Sequence, residues 1–375
     1  MYHIHLPYNE NTLVNFSNSI LKKYHVDTFH ESNKQIDELI KDKRKIVLIL
    51  FDGLGSYILS KHLNKDSFML RNEFCKINST FPPTTVAATN AFLSGKYPFE
   101  NGWLGWSQYI KSENKVIDVF LNRISGTDNK LPLIDNIVIN EKLNGYKDIF
   151  ELIKEKNPLI ETFISKEYPC SLSGHRDIND AKKLLDDQLK YDDVIGYIYF
   201  TSPDHELHSF GVNSIEAKNK ILELQNFIEE VSNKHKDTLF ITFADHGLID
   251  CKYINIEEHK DLLDCLKHRF SIEGRSPCFE IKRGKKRLFK QLFNKYYGDK
   301  FYLYTKKEIY NKQLFGTGEE NKYFSSSICD YIAFTYSEYT FYYKSEFKPE
   351  DKLLIAHHGG GSLEEQEITI CAFNK

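Results

Sequence analysis

Val47–Gly55 reads VLILFDGLG, and Ser79–Trp106 reads STFPPTTVAATNAFLSGKYPFENGWLGW. The first stretch is an unbroken apolar run ending at Asp52, with Gly53 and Gly55 free to turn the backbone away. Continuous rather than alternating hydrophobicity marks a strand covered on both faces, the habit of parallel sheets. The second stretch sets Thr84 and Thr85 after two prolines and ahead of a small-residue run, which reads as a helix over Thr85–Leu93. An aspartate at a strand end and a threonine at a helix start, about thirty residues apart, suggest a nucleophile held by a metal ion.

Working outward, the same grammar recurs. SPDHELH (Ser202–His208), FADHG (Phe243–Gly247) and AHHGG (Ala356–Gly360) add carboxylates and imidazoles in the mixture a two-zinc hydrolase needs. Strands are expected at Ile46–Phe51, Val116–Leu121, Thr162–Ser165, Val194–Phe200, Thr238–Phe243 and Thr369–Phe373. Helices are expected at Tyr146–Lys154, Asp177–Lys190 and Ser214–Lys234, besides Thr85–Leu93. This alternation is that of an α/β, doubly wound, mixed but mainly parallel sheet. Ligands bind such sheets at the carboxyl ends of the strands. Asp52, Asp204 and Asp245 each fall just past an expected strand, which points to one shared site.

Residues 271–344 break the rhythm. They read as a strand (Cys278–Lys282), a basic helix (Lys285–Tyr297), a strand (Lys300–Tyr304), a helix (Lys306–Lys312) and further strand. The expected organisation is a helical N-terminal extension over 1–44, a catalytic core over 45–270 and 345–375, and an inserted α+β cap over 271–344.

The 375 residues are 41% hydrophobic, enough to bury a large core, so a disordered chain is excluded. A net charge of -3 gives no basic footprint for duplex nucleic acid. The seven cysteines are scattered, odd in number and without a CxxC, which fits reduced thiols and a cytoplasmic setting. The N-terminal MYHIHLPYNENTLVNF has no basic segment followed by an apolar stretch, so no signal peptide is expected. No apolar run reaches the ~18 residues of a membrane span. Nothing in the sequence sets an oligomeric state.

Taken singly, each motif also has an ordinary structural reading. Asp245-His246-Gly247 is equally a turn with a polar tip, because neighbours on an extended chain point to opposite sides. Asp204 and His208, four apart, share one face of a helical turn as metal ligands do, or form a plain i,i+4 pair; His205 points elsewhere. Asp52 is costly to bury ionised without a cation or several donors, yet aspartate also caps helices. Thr84 or Thr85 alone reads more readily as a helix N-cap, although a hydroxyl there also faces unpaired N–H groups that suit a phosphate. Convergence of four such segments at strand ends is what favours chemistry.

From about Lys45 onward the chain resembles the alkaline phosphatase superfamily, and within it the type I phosphodiesterase/nucleotide pyrophosphatase branch. FDGLG, the segment closing in SGKYPFENG, PDHELHSFG, FADHG and HHGG carry the likeness. The superfamily's nucleophile lies ten positions before the glycine closing its helix. With Gly95 as that glycine the resemblance implies Thr85, with Thr80, ahead of the two prolines, a distant second. It further implies one metal held by Asp204, His208 and His358, and another by Asp52, Asp245, His246 and the Thr85 oxygen. His358 is preferred to His357 because the last ligand directly precedes a glycine. Two zinc ions are expected, with manganese the alternative. Thr85 would attack phosphorus to give a phosphothreonine ester that water releases. The substrate implied is a small-molecule phosphate ester of nucleotide type. One departure is Trp106, standing where nucleotide pyrophosphatases carry an asparagine that contacts a phosphate oxygen. Trp103 and Trp106, the two tryptophans, are therefore candidate substrate-binding residues as well as candidate core. The runner-up readings are a phosphomonoesterase or phosphonate hydrolase of the same superfamily, and an inactive metal- or nucleotide-binding homologue.

Overall fold

KIVLILF, with six of its seven side chains buried, has no solvent face and forms a strand inside a sheet covered on both sides. The computed structural model describes residues 11–119, 123–127 and 145–375. Its strands, in chain order, are β1 Lys45–Phe51, β2 Glu73–Asn78, β3 Ser107–Ile110, β4 Lys115–Asp118, β5 Arg123–Ile124, β6 Glu161–Lys166, β7 Val194–Phe200, β8 Leu239–Phe243, β9 Ile249–Asp250 and β10 Lys252–Asn255. After these come β11 Ser271–Ile272, β12 Pro277–Phe279, β13 Tyr302–Thr305, β14 Tyr331–Phe334, β15 Tyr339–Tyr342, β16 Ala356–His357 and β17 Glu367–Phe373.

The main sheet has the order β2-β17-β8-β1-β7-β6. β1, β6, β7 and β8 run parallel, while β17 pairs antiparallel with both β2 and β8. The sheet is therefore mixed and mainly parallel, with helices on its faces, as expected. Two of those helices, Leu13–Lys23 and Thr85–Ser94, pack on each other. Phe16 sits 5.3 Å from Phe92 and 5.1 Å from Phe243, ring centre to ring centre, and the Asn18 amide donates to the Gly95 carbonyl at 2.9 Å. Gly95 ends the second helix in the left-handed region, at φ 69°.

A second sheet has the order β13-β14-β12-β11-β3-β4-β5, antiparallel wherever its pairs are defined. The stretch Val116–Leu121, expected to extend the parallel sheet, lies here instead: Lys115–Asp118 pairs antiparallel with Ser107–Ile110. The physical reason is the tight turn between them, where Asn114 adopts φ 50°, which commits the two short strands to a hairpin. Leu121 falls outside the described residues. The segment 271–344 supplies β11–β15, and four of these join β3–β5 in one layer. Its helix Lys286–Tyr297 buries Phe289, Phe293 and Tyr297, a stripe of spacing four, against Phe279, and turns its lysines outward. All seven cysteines are free thiols. Among the described residues no helix is long and apolar enough to cross a membrane.

Candidate metal centre and active site

Parallel strands β1, β7 and β8 end together, and their exits build the site. The Asp52 amide donates to the Phe200 carbonyl, and the Asp204 amide to the Asp52 carbonyl, each at 3.0 Å, so the first and second carboxylates are laced to one another by backbone. Gly53 turns between them at φ 74°, and a Cβ there would lie 2.7 Å from Leu248 and 3.0 Å from the Asp204 Cβ. Asp204 then opens the helix Asp204–Phe210, so that His208 falls on the same face one turn later. Asp245 and His246 follow β8, and His246 is fully buried. The last histidines arrive on β16, which pairs with β9 just beyond the His246 turn.

Thr85 is the first residue of the helix Thr85–Ser94. Its Oγ1 lies 3.1 Å from His246 Nε2 and 3.4 Å from both oxygens of Asp52. Thr84 occupies the N-cap position, yet its hydroxyl caps nothing; it donates to Glu273 at 2.6 Å. Thr80 is buried behind the helix start. His246 Nε2 stands 3.4 Å from Asp52 and 3.4 Å from Asp245. His208 Nε2 stands 3.3 Å from Asp204, and His358 Nε2 is 4.0 Å from the other Asp204 oxygen. The structure thus brings Asp52, Thr85, Asp204, His208, Asp245, His246 and His358 into one cluster. Two subsets have all their ligand atoms within 4.8 Å of each other: Asp52, Asp245 and His246, and Asp204, His246 and His358. His246 is common to both, whereas the family resemblance implies it for one.

The donor set fits divalent cations. His208 Nδ1 donates to the Ala356 carbonyl at 2.6 Å, and His246 Nδ1 to the Gly247 carbonyl at 3.3 Å. Carbonyls only accept, so each Nδ1 carries the proton and Nε2 offers its lone pair to the cluster, that of His208 toward Asp204 and that of His246 toward the Thr85 hydroxyl. Burial drives His208 down to about 4 and His358 well below the usual imidazole range, so neither ring supplies a proton to bridge the gap. Burial, with the Asp245 and Asp204 charges behind it, pushes Asp52 well above the usual carboxylate range, and burial lifts Asp204 to about 7. Asp204 Oδ1, Asp245 Oδ2 and His358 Nδ1 are buried without hydrogen-bond partners. Buried carboxyls driven to hold protons, set beside imidazoles driven to release them, are what a cation resolves by taking the place of those protons.

Several residues at the site were missed by sequence reasoning. The buried Tyr199 hydroxyl donates to Asp52, but one tyrosine within an apolar strand gives no sign of it. Glu273 lies in the turn between β11 and β12 and accepts from both Thr84 and the Trp106 amide, the latter at 2.9 Å. Burial raises its carboxyl to about 7. Ile272 before it holds φ 78°, a strained conformation for a β-branched residue. Arg275 and Glu365, both fully buried, pair bidentately at 2.7 and 2.8 Å, and Glu365 also accepts the Gly360 amide at 2.7 Å. That pair anchors the loop behind His358.

A cleft of about 890 Å³ opens from His208, His357 and His358 between the two sheets. Trp106, 37% exposed, lines it beside Glu273, and Arg123 and Arg269 stand on its far wall. Trp103 instead packs against Val86, Ile110, Ile117 and Val119, with its indole nitrogen buried. His357 points away from the aspartates and shares a hydrogen bond with the Tyr253 hydroxyl.

The fold is shared with solved structures. Mouse ectonucleotide pyrophosphatase/phosphodiesterase 5 aligns with a TM-score of 0.64 at 14% identity, covering 88% of this chain and 88% of that one. An inactive threonine-to-alanine variant of the mouse protein, in complex with AMP, aligns with a TM-score of 0.61 at 14% identity and the same coverage. The human counterpart gives a TM-score of 0.66 at 15% identity, covering 88% of this chain and 87% of that one. No curated protein matches in sequence. The family model for type I phosphodiesterase/nucleotide pyrophosphatase matches residues 46–360, a span containing every residue of the cluster. The chain therefore belongs to the type I phosphodiesterase/nucleotide pyrophosphatase family, and is a phosphodiesterase-type hydrolase of a metal-dependent family within the alkaline phosphatase superfamily.

Proposed function

We propose that this protein hydrolyses phosphodiester or pyrophosphate bonds of nucleotide-type substrates through a phosphothreonine at Thr85. The observation that carries the reading is the seat of Thr85 Oγ1, at a helix start, 3.1 Å from His246 and equidistant from the two Asp52 oxygens. Two zinc ions, with manganese as the alternative, would be held by Asp204, His208 and His358 on one side. Asp52, Asp245, His246 and the Thr85 oxygen would hold the other. When bound they supply Lewis acidity at phosphorus and lower the pKa of the Thr85 hydroxyl.

The chain's own groups do the rest. Asp52, which the Tyr199 hydroxyl holds in place, and His246 flank the Thr85 hydroxyl as acceptors for its proton. Phosphate oxygens seated above Thr85 face the N–H groups of the helix start, which are positioned for an anion. Attack by Oγ1 forms the P–O bond to threonine as the bond to the leaving oxygen breaks, and water then cleaves the ester. Trp106 offers a flat apolar face to a base. The mouse protein of the same fold, inactive when one threonine becomes alanine, holds AMP in that variant, which supports a nucleotide substrate here.

The test assays metal-replete protein and Thr85→Ala on bis-p-nitrophenyl phosphate, p-nitrophenyl phosphate and p-nitrophenyl thymidine 5′-monophosphate. Release from the diesters, lost in the variant while metal content is kept, is the expected result. Release chiefly from the monoester would move the protein to the phosphatase reading. Turnover that survives Thr85→Ala would overturn the nucleophile.

A further inference from the structure

We propose that the second sheet carries a metal site of its own, a zinc-class ion held by Cys329, His268 and Glu280, with the Cys278 sulfur beside it. The ligand atoms of Cys329, His268 and Glu280 lie within 4.8 Å of one another, outside the cluster described above. Nothing in the reading of the hydrolytic site depends on them.

The imidazole is set up in the way seen at the hydrolytic centre. His268 Nδ1 donates to the Arg269 carbonyl at 2.7 Å, which fixes the proton on that nitrogen. Nε2 is then a lone pair, buried and without a hydrogen-bond partner. It faces Glu280 Oε2 at 3.8 Å, beyond hydrogen-bonding distance and acceptor to acceptor. Tyr109 stacks on the ring at 4.2 Å with an interplanar angle of 18°, so the ring plane is fixed. Lys267 engages the other oxygen of Glu280, which leaves Oε2 turned toward the histidine.

The sulfurs complete the set. Cys329 is 5% exposed and Cys278 fully buried, and the Cys329 amide donates to the Cys278 sulfur at 3.2 Å. A Cys-His-Glu grouping also resembles a nucleophilic triad. Burial argues against that here, because a thiol so enclosed meets no substrate. Thiolate, imidazole and carboxylate at such distances are the ligands of a tetrahedral zinc site. Binding releases the thiol proton to solvent and forms the metal–sulfur bond, with no redox change. The ion would tie the β11–β12 hairpin to the segment entering β14. It would thereby stiffen the cleft wall on which Arg269 stands.

The hydrolytic cluster offers only nitrogen and oxygen ligands, so sulfur–metal contact is diagnostic. X-ray absorption at the zinc edge of the unmodified, zinc-replete protein should show zinc–sulfur scattering at about 2.3 Å. The cobalt-substituted protein should show a thiolate-to-cobalt charge-transfer band. Cys329→Ser and His268→Ala should each bind one metal per chain fewer, with that band gone in Cys329→Ser. A purely nitrogen–oxygen shell in the unmodified protein would overturn the site, and this reading needs no variant to fold. A band that persists in Cys329→Ser would overturn the assignment to that sulfur.

Discussion

At the residue scale the decisive contrast is between Thr85 and its neighbour. Thr84 has the N-cap position but spends its hydroxyl on Glu273, while Thr85 points into the cluster. Thr85→Ser should retain measurable diester hydrolysis, because the hydroxyl survives. Thr85→Ala should lose at least about three orders of magnitude in kcat, as nucleophile deletions do; a comparison of the two kcat values checks this. Glu273 carries a second expectation. Its carboxyl, about 7 in the fold against 4.5 in the unfolded chain, holds its proton in the native state where the unfolded state has lost it. The native state binds more protons between those values, so this group's contribution to stability is full below 4.5 and falls as pH rises to 7. In chelator-treated protein, Glu273→Gln should flatten the pH dependence of urea midpoints across that window, by on the order of 2 kcal/mol. Equal slopes in both proteins would sink the assignment. Asp52, Asp245 and His246 are legible in sequence because a strand end and a glycine announce them, and Asp204 because His208 follows it at helical spacing. Glu273 and Tyr199 are not, since a carboxylate in a turn between two short strands and a tyrosine in an apolar run have no local pattern that separates them from surface and core.

At the scale of elements, the loop behind His358 depends on a buried charge pair. Arg275 comes from the turn between β11 and β12 and Glu365 from the short helix before β17, and neither side chain is exposed. Removing one partner strands the other's charge, at a cost of about 3–5 kcal/mol. Glu365→Leu should therefore lower the urea midpoint sharply, and Arg275→Met with Glu365→Leu should recover much of the loss. A double variant no better than the single would show that the pair's further bonds to Gly360 and Ser362 matter more than its charge. Legibility at this scale follows burial. Continuous apolar runs gave β1, β7 and β8 to within a residue or so, and helices such as Ile215–Lys234 declared themselves by a serine cap and a long apolar stripe. β2, EFCKIN, went unread because its largely uncovered edge looks like polar loop. Val116–Leu121 reads as strand but belongs to the second sheet, as Lys115–Asp118, since strand propensity says nothing about partners.

For the whole molecule, the cluster's buried carboxyls and imidazoles make metal a structural partner as well as a chemical one. Dialysis against a chelator should lower Tm, and free zinc at a hundred times its Kd should restore about 2.7 kcal/mol per site. Calorimetry of the two states checks this, and an unchanged Tm would show that the cluster stands as well without a cation. The helix Leu13–Lys23 has a different kind of consequence. It lies ahead of the span that matches the family, 46–360, and the strand Glu367–Phe373 lies beyond it. Yet Phe16 packs against both Phe92 and Phe243, and β17 sits between β2 and β8 in the main sheet. The boundary of kinship is thus not the boundary of self-sufficiency. A chain trimmed to the shared span would open a gap inside its main sheet and bare the flank of the very helix that begins with Thr85.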